Sequence, residues 1–332
     1  MFWPSRKPCS IPIAKRWGCA SIMARAGFAI RLNTAIQTTS TVLCAGIDPH
    51  PDLMPPVFGG PDQALGSSAA LAHLRDFSLA VIAAAAGNIP AVKPQAALFE
   101  AHGAGGMTVL AEIARTAQQH GLLVIMDAKR GDIGSTARAY AAGWLGHDAA
   151  FASDALTINP YLGMDSLEPF FTQAAKTRSG LFVLVRTSNK GSADIQQQVL
   201  TTADSMTQPL YAYIAQRLAP YIDAATDPQT GLSDIGIVAG ATGPAEALAL
   251  RELLPAAPFL IPGYGAQGAS AAEACAGLIR RQEGYLTGGL VNASRAITHN
   301  AAVQNAASIS AAELAMREAI QTAKDAFAGL TL

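Results

Sequence analysis

Residues 122–137, LLVIMDAKRGDIGSTA, decide the fold that this sequence predicts. The segment begins with an apolar run, residues 122–126, which has the length and composition of a strand buried on both faces. Four charged residues follow directly: Asp127, Lys129, Arg130 and Asp132. Because side chains alternate along a strand, we expect Asp127 and Lys129 to point the same way.

A carboxylate and an ammonium side by side at the end of a strand allow two interpretations. In the first, they form an inward salt bridge, and Asp132 caps a helix expected over residues 132–137 after a turn at Gly131. In the second, the charged groups belong to a catalytic site. The rest of the chain favours the second interpretation.

Short apolar runs alternate with helical patterns from residue 41 onward. The runs typical of strands cover residues 42–47, 89–94, 122–126, 155–159, 181–186, 235–240, 259–262 and 286–291. The main segments of helical periodicity cover residues 70–86, 106–120, 166–176, 206–221 and 245–254. Eight strands that alternate with helices predict an α/β fold, a single closed (β/α)₈ TIM barrel. An open doubly wound sheet is the alternative.

No internal repeat or linker divides the chain, so we expect residues 23–332 to form one catalytic barrel domain, with residues 187–234 as its largest insertion. The first 22 residues differ from the rest, since they are basic and no acid occurs before Asp48. We interpret them as an N-terminal extension from an upstream start codon. A targeting peptide is the alternative, but the segment lacks the continuous apolar core of a secretory signal.

Composition excludes several classes of protein. The chain has 332 residues, 50% of them hydrophobic and 14% charged, and a formal net charge of −1, so neither nucleic acid nor an anionic membrane is an expected partner. No apolar run approaches the roughly 20 residues of a membrane span. The four cysteines form no CxxC pair, which favours a reducing, cytoplasmic location, and the histidines show no metal-ligand spacing.

In (β/α)₈ barrels, the chemistry takes place at the C-terminal ends of the strands. The polar residues expected there are Asp48, Lys93, Asp127, Lys129, Asn159, Arg186, Gln267, Ser294 and Arg295. Lys93 lies within an apolar strand, where an unpaired ammonium is costly, so it needs a carboxylate or a substrate anion. Asp127 is the obvious partner. The alternative is a lysine that extends from the barrel rim to solvent.

The glycine-rich segment GYGAQG, residues 263–268, matches the GxGxxG pattern of dinucleotide-binding loops. Glu283 lies 20 residues further on but precedes its strand, whereas the dinucleotide pattern needs the acid at the strand's end. A loop whose backbone amides bind a phosphate is the better interpretation, with Arg295 paired to the phosphate. Arg295 could instead be a surface residue at a helix start, and Asp48 could cap a turn or bind a sugar hydroxyl.

Taken together, these motifs resemble the orotidine 5′-phosphate decarboxylase family, specifically its longer, type 2 branch. The similarity covers residues 40–297. Its landmarks are LCAGIDPHP (43–51), AVKPQAALFEAHG (91–103), DAKRGDIGSTA (127–137), LTINPYLGMDSLEPF (156–170), FVLVRTSN (182–189), IPGYGAQG (261–268) and VNASRAI (291–297). The resemblance implies cofactor-free decarboxylation of orotidine 5′-monophosphate to UMP, the last step of pyrimidine nucleotide synthesis.

The resemblance also implies a Lys–Asp–Lys–Asp charge network. Lys93 would hold Asp127 and contact the ribose, and Asp127 would lie against the substrate carboxylate. Lys129 would donate the proton to C6 of the pyrimidine. Asp132 would complete the network from the neighbouring subunit, so the resemblance implies a homodimer with shared active sites.

The remaining substrate contacts come from the same resemblance. Ile133 and Thr136 would also reach across to the partner subunit's site. Asp48 would bind a ribose hydroxyl, Gln267 and Arg295 would bind the phosphate, and Asn159 would lie near the base.

Two other functions stay open from the sequence. Related metal-dependent sugar-phosphate barrels place an acid where this chain has Lys93, so the lysine favours a site without a metal. A non-catalytic nucleotide-binding barrel would keep the phosphate loop but would need neither Lys93 nor Lys129.

Overall fold

The computed structural model describes residues 26–61, 63–202, 205–265, 268–282 and 284–330. The expected N-terminal extension, residues 1–22, and the candidate phosphate ligand Gln267 lie outside the described residues.

Eight parallel strands close into a barrel, which confirms the predicted (β/α)₈ architecture over an open sheet. The strands are β1 (Leu43–Ile47), β2 (Ala91–Pro94), β3 (Leu123–Arg130), β4 (Ala155–Ile158), β5 (Gly180–Arg186), β6 (Ile235–Ala239), β7 (Phe259–Ile261) and β8 (Gly289–Ala293). Each strand pairs with the next along the chain, and β8 pairs with β1. Most strand residues are buried, as expected for a sheet with both faces covered.

Helices alternate with these strands along the chain. They are α1 (Phe28–Thr39), α2 (Ser68–Ala85), α3 (Ala96–Glu100), α4 (Gly103–Gln119), α5 (Gly134–Trp144), α6 (Glu168–Thr177), α7 (Leu210–Ala224), α8 (Pro244–Leu253), α9 (Ala271–Cys275), α10 (Arg295–Thr298), α11 (Ala301–Gln304) and α12 (Ile309–Ala328). Single turns of 3₁₀ helix occur at Pro51–Leu53, Pro56–Phe58, Met164–Leu167 and Lys190–Asp194.

The eighth strand was predicted over residues 286–291, but only residues 289–291 belong to it. Leu286–Thr287 instead forms a short antiparallel pair with Ile279–Arg280. Gly288 then takes a φ of +80°, a left-handed conformation that interrupts the strand, and β8 starts one residue later. The apolar run therefore spans two structural elements, a break that periodicity does not reveal.

Two other boundaries also differ from the prediction. β3 continues to Arg130, and α5 begins at Gly134, so Asp132 lies before the helix instead of opening it. The helix expected from residue 206 begins at Leu210, because Thr207–Pro209 pairs with Val199–Thr201 in an antiparallel hairpin inside the insertion.

Helix α1, which the sequence did not suggest, closes the N-terminal end of the barrel. Its Phe28 packs edge-to-face on Phe182 of β5, with ring centroids 5.9 Å apart. A Cβ atom on Gly180 would lie 2.3 Å from the Phe28 ring, so only glycine fits at the start of β5. Asp234, just before β6, accepts a hydrogen bond of 2.7 Å from the Ala29 N–H at the helix N-terminus.

Helix α2 is long and apolar enough to cross a membrane by length and composition alone, with a mean hydropathy of 1.3. Half of its residues are buried inside the structure, among them Leu74, Phe77 and Val81. Burial between the barrel and its neighbouring helices accounts for this apolar composition.

We predict that Phe28→Ala lowers the free energy of unfolding by about 3 to 5 kcal/mol, because it removes a fully buried aromatic ring and leaves a cavity. Urea denaturation followed by circular dichroism measures the change. Thr34→Ala, an exposed position on the same helix, is the control and should change stability by no more than about 0.5 kcal/mol. Equal effects of the two variants would contradict this role of α1.

Candidate active site

A cavity of about 640 Å³ opens at the C-terminal ends of the barrel strands. Six of the polar residues predicted at the strand ends line it: Asp48, Lys93, Asp127, Lys129, Ser294 and Arg295. They lie on or directly after β1, β2, β3 and β8, and the closed barrel brings them together because its parallel strands end at one rim.

Asp127 lies between two ammonium groups at the base of this cavity. Its Oδ2 atom is 2.7 Å from Nζ of Lys93, and its Oδ1 atom is 2.6 Å from Nζ of Lys129. Lys93 and Asp127 are buried, whereas the Lys129 side chain is 46% exposed and faces the cavity. The prediction that Asp127 and Lys129 point the same way agrees with this contact.

Burial and charge act in opposite directions on these groups. Burial by itself would lower the pKa of Lys93, but the Asp127 and Asp48 carboxylates reverse the effect and raise that pKa above its usual value. Burial would likewise raise the pKa of Asp127, but Lys93 and Lys129 together hold it well below its usual range. Lys93 is therefore a fixed cation, and Asp127 is a fixed anion, at neutral pH.

Two further side chains contact Asp127, and sequence reasoning missed both. Nε2 of Gln95 donates a hydrogen bond of 3.2 Å to Oδ2, and the Thr157 hydroxyl donates one of 3.1 Å to Oδ1. Gln95 stands in the KPQ motif, two residues after Lys93, so strand alternation could have identified it. Thr157 lies within the apolar run of β4, where no pattern distinguishes it.

The ribose-binding candidate Asp48 follows β1 and lies beside residues of β8. Its Oδ1 atom and Oδ1 of Asn292 are buried and have no hydrogen-bond partner among the described residues. A Cβ atom on Gly46 would lie 1.9 Å from Oγ of Ser294 and 3.1 Å from Oδ2 of Asp48, so glycine is required for this approach. Both residues belong to the cavity lining, so two acceptors without a partner lie directly beside the ligand space.

The glycine-rich segment and Arg295 lie together at the cavity. Gly263 and Tyr264, which follow β7, line the cavity with Arg295, which follows β8. Gly263 has a φ of +105° and Gly265 one of +73°, conformations that favour glycine. The loops after the seventh and eighth strands are where barrels of this kind often bind phosphate.

The opposite wall of the cavity is apolar. Leu184 of β5, Val238 of β6 and Leu260 of β7 contribute to it, whereas the charged groups around Asp127 come from β1 to β3, and Arg295 follows β8. His50, Thr187, Ser188 and Asn189, which sequence reasoning did not select, also line the cavity.

Four of the predicted substrate contacts lie outside this cavity: Asp132, Ile133, Thr136 and Asn159. Ile133 and Thr136 lie at the exposed start of α5, and Ile133 is 60% exposed. Oδ1 of Asn159 accepts a hydrogen bond of 3.0 Å from the Tyr161 N–H. Arg186, collected as a strand-end residue, instead pairs with Glu246 at 3.2 Å behind the cavity-lining loop.

Within the part of the chain that the structure describes, no three His, Cys, Asp or Glu side chains are grouped as a metal would require.

Comparison with known proteins gives consistent results. A family model described as orotidine 5′-phosphate decarboxylase / HUMPS family matches residues 41–309. The orotidine 5′-phosphate decarboxylase of Rhodopirellula baltica is 41% identical over 275 residues, which cover 81% of this chain and 87% of the relative. That of Deinococcus radiodurans is 38% identical over 89% of this chain and 97% of the relative. The structure of Leishmania donovani OMP decarboxylase has a TM-score of 0.62 at 31% identity and covers 90% of this chain and 99% of that one.

The buried ion pair yields a stability prediction. Lys93→Met should lower the free energy of unfolding by about 3 kcal/mol, because it leaves the buried Asp127 carboxylate short of one counter-charge while the methionine still fills the space. Lys129→Met is the matched control and should cost less than about 1 kcal/mol, since its ammonium is half exposed. Urea denaturation at neutral pH measures both, and equal losses would contradict the distinct roles of the two lysines.

Proposed function

Because this chain belongs to the orotidine 5′-phosphate decarboxylase / HUMPS family, we propose that it decarboxylates orotidine 5′-monophosphate to UMP. The single observation that carries this proposal is the Asp127 carboxylate held between the Lys93 and Lys129 ammonium groups at the base of the cavity. This arrangement suits a reaction in which a negative charge forms on carbon and is then protonated.

The chemistry requires stabilisation of charge at one ring carbon. When the bond between C6 and the carboxylate breaks, CO₂ leaves and the electron pair stays on C6, where no adjacent carbonyl can take it up as an enolate. An ammonium fixed next to C6 stabilises this charge as it develops. Lys129, whose Nζ is exposed to the cavity, is the group we assign to this task.

Lys129 then donates a proton from its ammonium to C6, which gives UMP and a neutral amine. The amine regains a proton from water before the next turnover. Lys93 keeps Asp127 ionised, and Asp127 holds the Lys129 ammonium in place through its second oxygen. The substrate carboxylate would lie against Asp127, and their repulsion would be relieved as CO₂ leaves.

The other end of the substrate has matching groups. We assign the phosphate to Arg295, Gln267 and the backbone of the loop that contains Gly263, and the ribose hydroxyls to Asp48. Binding energy from the phosphate, far from C6, then serves to order the charged groups around the reacting carbon. Asn159 lies outside the cavity, so we leave its expected contact with the base out of this assignment.

The main alternative is a metal-dependent sugar-phosphate enzyme of the same family. Lys93 opposes it, because an ammonium 2.7 Å from Asp127 occupies the position from which a metal would be bound. A cytoplasmic location belongs to the proposal as well, and the two described cysteines, Cys44 and Cys275, support it because both are free and buried.

The first test is the loss of orotidylate absorbance on addition of EDTA-treated protein. We expect turnover by the wild type, a decrease of about 10³-fold or more in Lys129→Ala, and nearly full activity in Lys176→Ala, which removes an exposed lysine of α6. No turnover by the wild type, or turnover only with added Mg²⁺, would refute the proposal. Retained binding of UMP by an inactive wild type would instead favour a non-catalytic nucleotide-binding barrel.

We further propose that the active unit is a homodimer in which Asp132, Ile133 and Thr136 complete the site of the partner subunit. The position of these residues outside their own chain's cavity supports this assignment. So does the exposure of large apolar side chains around the start of α5, since Ile133 is 60%, Tyr161 82% and Leu162 51% exposed in the single chain.

Shared sites predict complementation between two inactive variants. A heterodimer of Lys129→Ala with Asp132→Ala carries both changes in one site and neither in the other. Mixing the unfolded variants in equal amounts and refolding them should therefore restore about a quarter of wild-type activity. Size-exclusion chromatography with light scattering checks the dimer, and a mixture no more active than its components would show that the sites are not shared.

A further inference from the structure

The pairing of β3 with β4 is irregular at the site itself. Met126 pairs with Leu156, and Arg130 pairs with Ile158, so three residues of β3, 127–129, face the single residue Thr157 of β4. Lys129 takes a φ of +49° within this bulge, a left-handed conformation that is uncommon for a residue with a side chain. The bulge therefore interrupts the regular ladder of backbone hydrogen bonds between β3 and β4 at Lys129.

The Thr157 hydroxyl replaces the missing ladder bonds. Its Oγ1 atom accepts hydrogen bonds from the backbone N–H groups of Ala128, at 3.0 Å, and Lys129, at 2.9 Å. Its own hydrogen points to Oδ1 of Asp127 at 3.1 Å, nearer than the Met126 carbonyl at 3.5 Å. A hydroxyl has one hydrogen and two lone pairs, so these contacts use its full capacity.

We propose that Thr157 is a positioning residue that sets where the Lys129 ammonium lies, an inference that rests on the proposed function of Lys129. The hydroxyl holds both the backbone from which Lys129 projects and the carboxylate oxygen that Lys129 contacts at 2.6 Å. One buried atom, in a side chain that is 1% exposed, therefore fixes the two ends of the Lys129 side chain relative to each other.

Valine and serine at this position separate the hydroxyl from the shape of the side chain. Thr157→Val keeps the volume and the branching but leaves the Ala128 and Lys129 N–H groups without their acceptor. The backbone is then expected to relax towards regular pairing and to carry the ammonium away from C6. Thr157→Ser keeps Oγ and should keep the bulge.

The test measures kcat, KM and the affinity for UMP in both variants beside the wild type. We expect Thr157→Val to lower kcat by about tenfold to a hundredfold, because a displacement near 1 Å of a reacting group has an effect of that size. The dissociation constant for UMP, which depends mainly on the phosphate and ribose contacts, should change by less than about threefold. Thr157→Ser should recover kcat to within about threefold of the wild type.

Three outcomes would overturn the inference. The first is a wild-type kcat in Thr157→Val, and the second is a serine variant as impaired as the valine variant. The third is a loss of UMP affinity together with kcat in Thr157→Val, because that result indicates general damage to the site. If Thr157→Val does not fold, Thr157→Ala replaces it under the same criteria.

A measurement independent of activity separates this inference from the proposed function. The chain has only seven lysines, so ¹⁵N-lysine labelling gives few ammonium signals, and Lys129→Ala identifies that of Lys129. Thr157→Val should shift the Lys129 signal and leave that of Lys93 nearly unchanged. An unshifted Lys129 signal would overturn the inference about Thr157. A wild type without turnover would refute the proposed function instead, and the Lys129 signal would still test the role of Thr157.

Discussion

The site depends on one electrostatic interaction, the contact of the Asp127 carboxylate with the ammonium groups of both Lys93 and Lys129. A buried ammonium or carboxylate is costly by itself, and the two charges on β2 and β3 offset that cost only because they lie 2.7 Å apart. The second carboxylate oxygen remains for Lys129, which is half exposed. The buried pair thus supplies a rigid anchor, and the third charge remains accessible to a ligand.

The strand ends were predictable because a closed parallel barrel brings them to one rim. Asp48, Asp127 and Lys129 follow apolar runs, and Lys93 lies near the end of one, so the barrel topology placed them in a common site. The assignment of Arg295 to the same cavity followed from the order of the strands. Composition and the alternation of strand and helix patterns were therefore sufficient to predict the architecture and the charged half of the site.

The remaining features depend on contacts between strands that periodicity does not encode. In the sequence, Thr157 is one more residue of an apolar run. Its proposed role in positioning Lys129 arises only because three residues of β3 face it. The break at Gly288 follows from a backbone conformation, and α1 follows from the need to cover the N-terminal end of the barrel around Phe182. Asp132, Ile133 and Thr136 lie outside the cavity of their own chain, and only the family resemblance, not periodicity, connects them with a site.

The two walls of the cavity have different consequences for charge. Leu184, Val238 and Leu260 face the ligand space opposite the charged groups of β1 to β3, and they offer a developing charge no hydrogen bond. A ligand that fills the cavity displaces water from between these walls, and the effective dielectric around the ligand falls. The attraction between Lys129 and a charge on the ligand is then stronger than it would be in water. The apolar wall thereby increases the effect of an ammonium that the opposite wall holds in place.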